Sequence, residues 1–200
     1  MIRRGPGHDA ETAPPPEREL RQEPPIESGG WFQPRRIWLL STPMSTITLG
    51  PARMGDAPAI AHLSRDLIEA DLPWSWTPRR VAGLMRQRES AAVIARDQNR
   101  LAGFILAQYG DESAHIALLG IANEYRRQGI GRRLVQWVEE TAMVAGLFLV
   151  RLEVRAGKRE ARHFYARLGY RETDRVDGYY SGLEDAIKMS RDLRALSTSK

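Results

Sequence analysis

The chain has 200 residues, 42% of them hydrophobic and 28% charged, which suits one core of ordinary size and one folded domain. It contains no cysteine, which excludes disulfides, thiolate metal sites and cysteine nucleophiles and fits a reducing, cytoplasmic setting. No run of about 18 apolar residues offers a membrane span, and the formal net charge of +5 favours acidic ligands without choosing among them.

Residues 1–45 hold eight of the twelve prolines, with six Arg balanced by one Asp and five Glu. Such a stretch buries too little apolar area to offset its ordering entropy, so a disordered N-terminal extension is expected. The folded domain is expected over residues 46–193, with a flexible tail at 194–200. "TITLGPA" reads as a strand. "DAPAIAHLSRDLIEA" carries Ile60, Leu63, Leu67 and Ile68 at helical spacing. "TPRRVAGLMRQ" opens a second helix, with Thr77 as N-cap and Pro78 at the first helical position. "SAAVIARD" and "LAGFILAQY", joined through "QN", read as a hairpin, and "AHIALLGIA" as a further strand. A longer helix follows, with Ile130, Leu134, Trp137, Val138, Thr141 and Ala145 on its apolar face and Gly146 as its stop. "LFLVRLEV" is a nearly continuous apolar run, expected to form a central strand covered on both faces. "REARHFYARLG" is a short helix, and the chain closes on two strands, the last at "DAIKMSRDL". The predicted order is β-α-α-β-β-β-α-β-α-β-β, an α/β fold around a mixed sheet.

One stretch carries a chemical signal. In "IANEYRRQGIGRRLVQW" two glycines, flanked by arginine pairs, sit between a strand and a helix. A helix N-terminus presents unpaired N–H groups and the positive end of the dipole, and glycine lets the backbone come close to an anion. Arg126, Arg127, Arg132 and Arg133 add four charges, more than one phosphate needs, so a polyphosphate fits better. The spacing is not that of a nucleoside-triphosphate loop, which ends in Lys and Ser or Thr. Nor is it the dinucleotide fingerprint, because Leu134 holds the third glycine position. Taken alone, the motif is equally compatible with an ordinary strand-to-helix turn.

"RRQGIG", with Arg126, Gly129 and Gly131, resembles the R/Q-x-x-G-x-G/A loop of the GCN5-related N-acetyltransferases (GNAT). The resemblance spans about residues 46–193. "LEVRAGKREARHFYARLGY" and "GYYSGLEDAIKM" are similar to the RimI-like branch, the ribosomal-protein N-terminal alanine acetyltransferases. The resemblance implies the GNAT fold, a central, mostly antiparallel sheet flanked by helices. It implies acetyl-CoA as the donor substrate and no metal. Its pyrophosphate would rest on the backbone amides of Arg127, Gln128, Gly129, Ile130, Gly131 and Arg132, with Arg126 beside them. Its pantetheine arm would pair with the main chain of Leu119, Gly120 and Ile121. Where the family has Ser-Asn after the Leu-Glu-Val-Arg strand, this chain has Gly157 and Lys158. Lys158 can reach a phosphate or carbonyl, but the family's amide contact is lost. Asn123 replaces the family's proline before the loop, and Tyr170 a phenylalanine.

Acetyl transfer to an amine requires a proton acceptor, oxyanion stabilisation and a donor for the leaving thiolate. Glu153 lies inside the apolar "LFLVRLEV", on the strand face of Leu149 and Arg151. Desolvation there should raise its pKa and suit a general base, whereas spacing alone favours an ion pair with Arg151 or Arg155. The family resemblance assigns Glu153 as base. Tyr165 sits at helical spacing with Ala161 and Leu168, as a core aromatic would; the resemblance makes it the proton donor. His115, read as exposed at the start of a strand, and His163, read as facing solvent, are competing acid-base candidates. The four histidines share no metal-ligand spacing.

For the acceptor, Trp74 and Trp76 in "DLPWSWTP" and Tyr179 and Tyr180 in "GYYSGLED" are candidate walls of a groove. The tryptophans are equally suited to helix-hairpin packing. A protein N-terminus is favoured over a small amine by the aromatic pairs and the closing motif. A non-catalytic acetyl-CoA-binding sensor is the alternative that retained Glu153 and Tyr165 argue against. No nucleic-acid or membrane partner is expected, because the arginines cluster at one helix start with no interleaved aromatics. A monomer or homodimer is expected.

Overall fold

The computed structural model of the chain describes residues 47–194. Among them the order is β1 (Ile47–Pro51), α1 (Ala57–Leu67), α2 (Pro78–Met85), β2 (Ser90–Asp97), β3 (Arg100–Tyr109), β4 (Ala114–Ile121), α3 (Ile130–Val144), β5 (Leu149–Arg155), α4 (Arg159–Arg167), β6 (Arg171–Tyr180) and β7 (Glu184–Asp192). This is the predicted sequence of elements. The expected extension at 1–45 and residues 195–200 of the expected tail lie outside the described residues. No described helix is long and apolar enough to cross a membrane.

The strands form one seven-stranded sheet in the order β1-β2-β3-β4-β5-β7-β6. Every neighbouring pair is antiparallel except β4 with β5. Alternation along the strands feeds two cores. Val93, Ile105, Val150, Leu152 and Val154 pack with Leu134, Val135 and Val138 of α3 on one face. Ile94, Phe104 and Leu106 pack with Ile60, Ala61, Val81 and Leu84 of α1 and α2 on the other.

Local signals act as the sequence suggests at both ends of the helices. The Thr77 hydroxyl accepts from the Arg80 N–H at 3.4 Å, with Pro78 at the first helical position. Beyond α3, Gly146 takes φ 77°, the left-handed stop. Two expectations are corrected. The α3 stripe runs through Val135, Glu139 and Ala142, and Ala145 is exposed. Apolar periodicity cannot place an acidic residue such as Glu139 in the stripe. The β5 strand is fully buried on one face only; on the other Arg151 is exposed and Leu149 and Glu153 are half-buried, because that face borders a cavity.

Glu139 is buried because Arg191 of β7 reaches it, donating from Nη1 to Oε1 and Oε2 at 2.8 and 2.9 Å. The pair ties α3 to β7. Removing one partner strands a buried charge, which is worse than removing both. Arg191→Met should therefore cost about 3 kcal/mol in denaturant unfolding, and the Glu139→Leu/Arg191→Met double variant should recover most of that loss.

Candidate active site

The parallel strands β4 and β5 pair at three positions only, Ala114 with Val150, His115 with Arg151 and Ile116 with Leu152. They then diverge. The divergence coincides with a bulge: Leu106 pairs with Leu118 but Ala107 with Ile116, leaving Ala117 as the extra residue. The bulge also changes which face the β4 side chains occupy, since Ile116 joins the α3 core and Leu118 the α1–α2 core. Further on, the Ala122 N–H donates to the Ala102 carbonyl at 3.0 Å. By alternation the main-chain groups of Leu119 and Ile121 turn toward the open edge. Arg126 Nε approaches the Ile121 carbonyl there, at 3.4 Å. Between the splayed strands lies a cavity of about 1340 Å³.

One end of the cavity is basic. Gly129 is the N-cap of α3 at φ 78°, and no side chain caps that helix, so its first N–H groups are open. Arg127, two residues before, also takes a left-handed φ of 63°. Gly131 has an ordinary φ, and its role is close approach: a Cβ would stand 3.2 Å from Phe164 Cζ of α4. The cavity wall here includes Leu119, Gly120, Ile121, Arg126, Arg127, Gly129, Ile130, Gly131, Arg132 and Lys158. Arg133 turns away to the Ile47 carbonyl at 3.2 Å. The Gln128 side chain is outside the wall and donates to the Glu124 carbonyl at 3.2 Å. Gly157, at the family's serine position, is explained by contact: a Cβ would come within 2.9 Å of Glu184 Oε1, which accepts from the Gly157 N–H at 2.9 Å.

At the point of divergence stands a pair that the sequence reading did not make. His115 Nε2 lies 2.6 Å from Glu153 Oε2. Both project from the sheet face opposite the α3 core, two register steps apart. The expected partners of Glu153 are engaged elsewhere or exposed: Arg155 holds Glu184, and Arg151 faces solvent. The expected rise in the Glu153 pKa is corrected as well. The His115 hydrogen bond outweighs desolvation and holds the carboxyl below its ordinary value. Tyr165 also borders the cavity, buried between Phe164 and Tyr170 with ring centroids 5.0 and 5.5 Å away. Burial, and then the neighbouring Tyr180, push its hydroxyl far above the usual tyrosine value, so it stays protonated. His163 is exposed and outside the cavity wall.

The opposite wall is the segment between α1 and α2, and a buried carboxylate shapes it. Glu69 accepts from the Ser75 N–H at 2.8 Å, the Ser75 hydroxyl at 2.5 Å and the Trp76 N–H at 3.1 Å. Trp76 thereby faces the cavity, with the Arg80 guanidinium 4.2 Å over its ring. Trp74 does not line the cavity: it packs on His62 of α1 at 5.4 Å and under Arg65 at 5.0 Å, and its Nε1 donates to the Trp76 carbonyl. Tyr179 and Tyr180, from the end of β6, line the third side. Arg155 fastens these pieces together, donating to Glu184 at 2.6 Å and to the Ile68 and Ala70 carbonyls at 3.0 and 2.7 Å. Burial pushes the Glu184 carboxyl up, but Arg155 and the Gly157 N–H more than offset this and hold it low. Spacing gave no sign of the contacts of Glu69, of Arg155–Glu184 or of the pairing of His115, itself a candidate, with Glu153, since the partners stand 6 to 87 residues away.

Residues 73–191 match the family model described as an acetyltransferase (GNAT) domain. An uncharacterised N-acetyltransferase of Methanocaldococcus jannaschii is 30% identical over 67% of this chain and 84% of its own. The ribosomal protein bS18-alanine N-acetyltransferase of Escherichia coli is 26% identical over 72% of this chain and 95% of its own. Its crystal structure superposes with a TM-score of 0.64, covering 74% of this chain and 94% of that one. Arabidopsis thaliana NAA60 in complex with acetyl-CoA shares the fold, with a TM-score of 0.65 at 20% identity over 74% of this chain and 99% of that one. The splayed sheet, the open helix start at its basic end and these similarities converge: the chain belongs to the GNAT family of acetyltransferases and is an N-acetyltransferase.

Proposed function

We propose that the protein transfers the acetyl group of acetyl-CoA to the N-terminal α-amine of a protein, as the RimI-like resemblance implies. The observation that carries this reading is one cavity holding an open, arginine-flanked helix start at one end and Glu153, His115 and Tyr165 at the other. In this reading the amides from Arg127 to Arg132 and the side chains of Arg126 and Lys158 hold the pyrophosphate. The freed main chain of Leu119–Ile121 pairs with the pantetheine as an added strand would. The Gln128 amide is part of that loop, although its side chain points away.

Glu153, ionised at neutral pH, receives the ammonium of the acceptor beside His115. The pair takes one proton, and the freed nitrogen lone pair attacks the thioester carbonyl. The C–N bond forms and the C–S bond breaks, and the nitrogen sheds its second proton to solvent as the amide forms. The departing sulfur takes the Tyr165 proton, which solvent restores. Trp76, Tyr179 and Tyr180 would flank the chain that follows the amine. Trp74 supports Trp76 from behind rather than touching the acceptor.

Peptides varied at the first residue, together with polyamines and free amino acids, should be offered with acetyl-CoA and the products weighed by mass spectrometry. Acetylated peptide α-amines are the expected product. Acetylated polyamines alone, or bound acetyl-CoA with no product, would replace the reading by a small-amine enzyme or a sensor.

Tyr165→Phe should bind acetyl-CoA normally and lose about 10²- to 10⁴-fold in kcat, the range for one general acid; an unchanged kcat removes its role. Gly131→Glu should abolish acetyl-CoA binding in calorimetry, since the side chain meets Phe164 and places a carboxylate at the anion site. His115→Leu supplies a pH test. In the native protein Glu153 sits below its ordinary value, so any stability it adds is full above the carboxylate range and fades as pH falls through that lowered value. Without His115, desolvation prevails and the Glu153 pKa rises. The acid limb of kcat/KM should then move to higher pH; a limb that stays in place or moves down refutes the pairing.

A further inference from the structure

Glu69, Glu153, Arg155 and Arg80 are four charged residues of the cavity wall, and three of them are already matched. Glu69 is neutralised by N–H and hydroxyl donors of its own segment. Glu153 is paired with His115, and Arg155 with Glu184. The fourth, Arg80 at the start of α2, forms no ion pair among the described residues.

Arg80 is nevertheless held in place. Its guanidinium carbon lies 4.2 Å over the centroid of the Trp76 ring, a cation–π contact that uses none of its N–H donors as hydrogen bonds. Trp76 is in turn anchored by the buried Glu69 carboxylate. N–H donors arranged in a fork and preset on the exposed rim of the cavity suit a carboxylate bound through two oxygens.

Tyr179 sets the position of that carboxylate along the acceptor. Burial raises the Tyr179 hydroxyl pKa, the Glu153 charge raises it further, and the Arg80 charge pulls it back. Tyr179, Glu153 and Arg80 all line the same cavity. An extended chain rises about 3.3 Å per residue, so an acceptor with its amine at Glu153 brings its second or third side chain toward Arg80.

We propose that Arg80 is a specificity determinant that selects acceptor peptides carrying Asp or Glu at the second or third position. The proposal rests on the reading of the protein as an N-terminal acetyltransferase and narrows it to acidic N-termini.

The test uses the full chain and matched peptides that differ only at positions two and three, as Glu, Gln or Lys, with kcat/KM measured for each. Glu should exceed Gln by about tenfold and Lys by more, about the effect of one exposed charge-assisted contact. Arg80→Gln should remove the preference, Arg80→Lys should keep part of it, and Arg80→Glu should turn it toward Lys. Acetyl-CoA stabilisation in a thermal shift should be the same in all three variants, which separates loss of selection from loss of fold. Equal rates on all peptides, or a preference that survives Arg80→Glu, overturn the proposal while leaving the N-terminal reading intact. If no peptide is acetylated while a small amine is, both fall.

Discussion

The separation of β4 from β5 is the constraint on which the site depends. Two parallel strands in the middle of a sheet ordinarily pair along their whole length, and their unpaired main-chain groups would otherwise be costly to bury. Here pairing stops after three residues because Ala117 bulges and rotates the rest of β4. The remaining edge needs partners, and an extended amide-bearing ligand can supply them. The same rotation brings α3, which starts just past β4, to the end of the opening, so its bare first turn faces the space the strands vacate. The open strand edge and the bare helix start beside it are thus consequences of one local register shift.

The walls that face the acceptor are held differently. The donor side is built from main chain and helix geometry, but the acceptor side is built from buried ionic contacts. Arg155 spans β5, the Glu184 end of the β6–β7 hairpin and the carbonyls that follow α1. Glu69 folds the next few residues around its carboxylate. Each group is expensive to bury alone, and each is matched by short contacts. The arrangement gives a rigid groove from segments with little regular structure, which is what a site that reads a flexible peptide requires.

This division explains what could be read from the sequence. The fold was legible because hydrophobic period, helix caps and turn residues are local, and the element order followed from them. The glycine loop was legible for the same reason: strand, turn and helix start are contiguous. The partner of Glu153 was not, because it depends on β4 and β5 lying side by side and on where their pairing ends. Trp74 and Trp76 were indistinguishable in sequence, being two residues apart with similar neighbours. Only the Glu69 contacts decide that Trp76 faces inward while Trp74 covers α1. Glu139, hidden in an otherwise apolar stripe, likewise waited on Arg191.

The His115–Glu153 pair bears on how the proposed reaction gains its rate. A base perched in an apolar strand would have worked through a raised proton affinity. The carboxylate found instead is held low by its neighbour, and taken singly it is a weaker base than a free carboxylate. His115 Nε2 stands 2.6 Å from the carboxylate, so each group has the other within hydrogen-bond distance. A fixed negative charge also draws in the ammonium form that dominates below a terminal amine's own pKa of about 8. Binding the charged acceptor and then relieving it of a proton are distinct demands, and one carboxylate alone serves the first better than the second. In the proposed reaction the imidazole beside it serves the second, while Tyr165, kept protonated by burial, would hold the proton for the departing sulfur. The proposed chemistry accordingly divides between a partly exposed pair for the amine and a buried hydroxyl for the thiolate, on strands and a helix that the splayed sheet holds at a fixed distance.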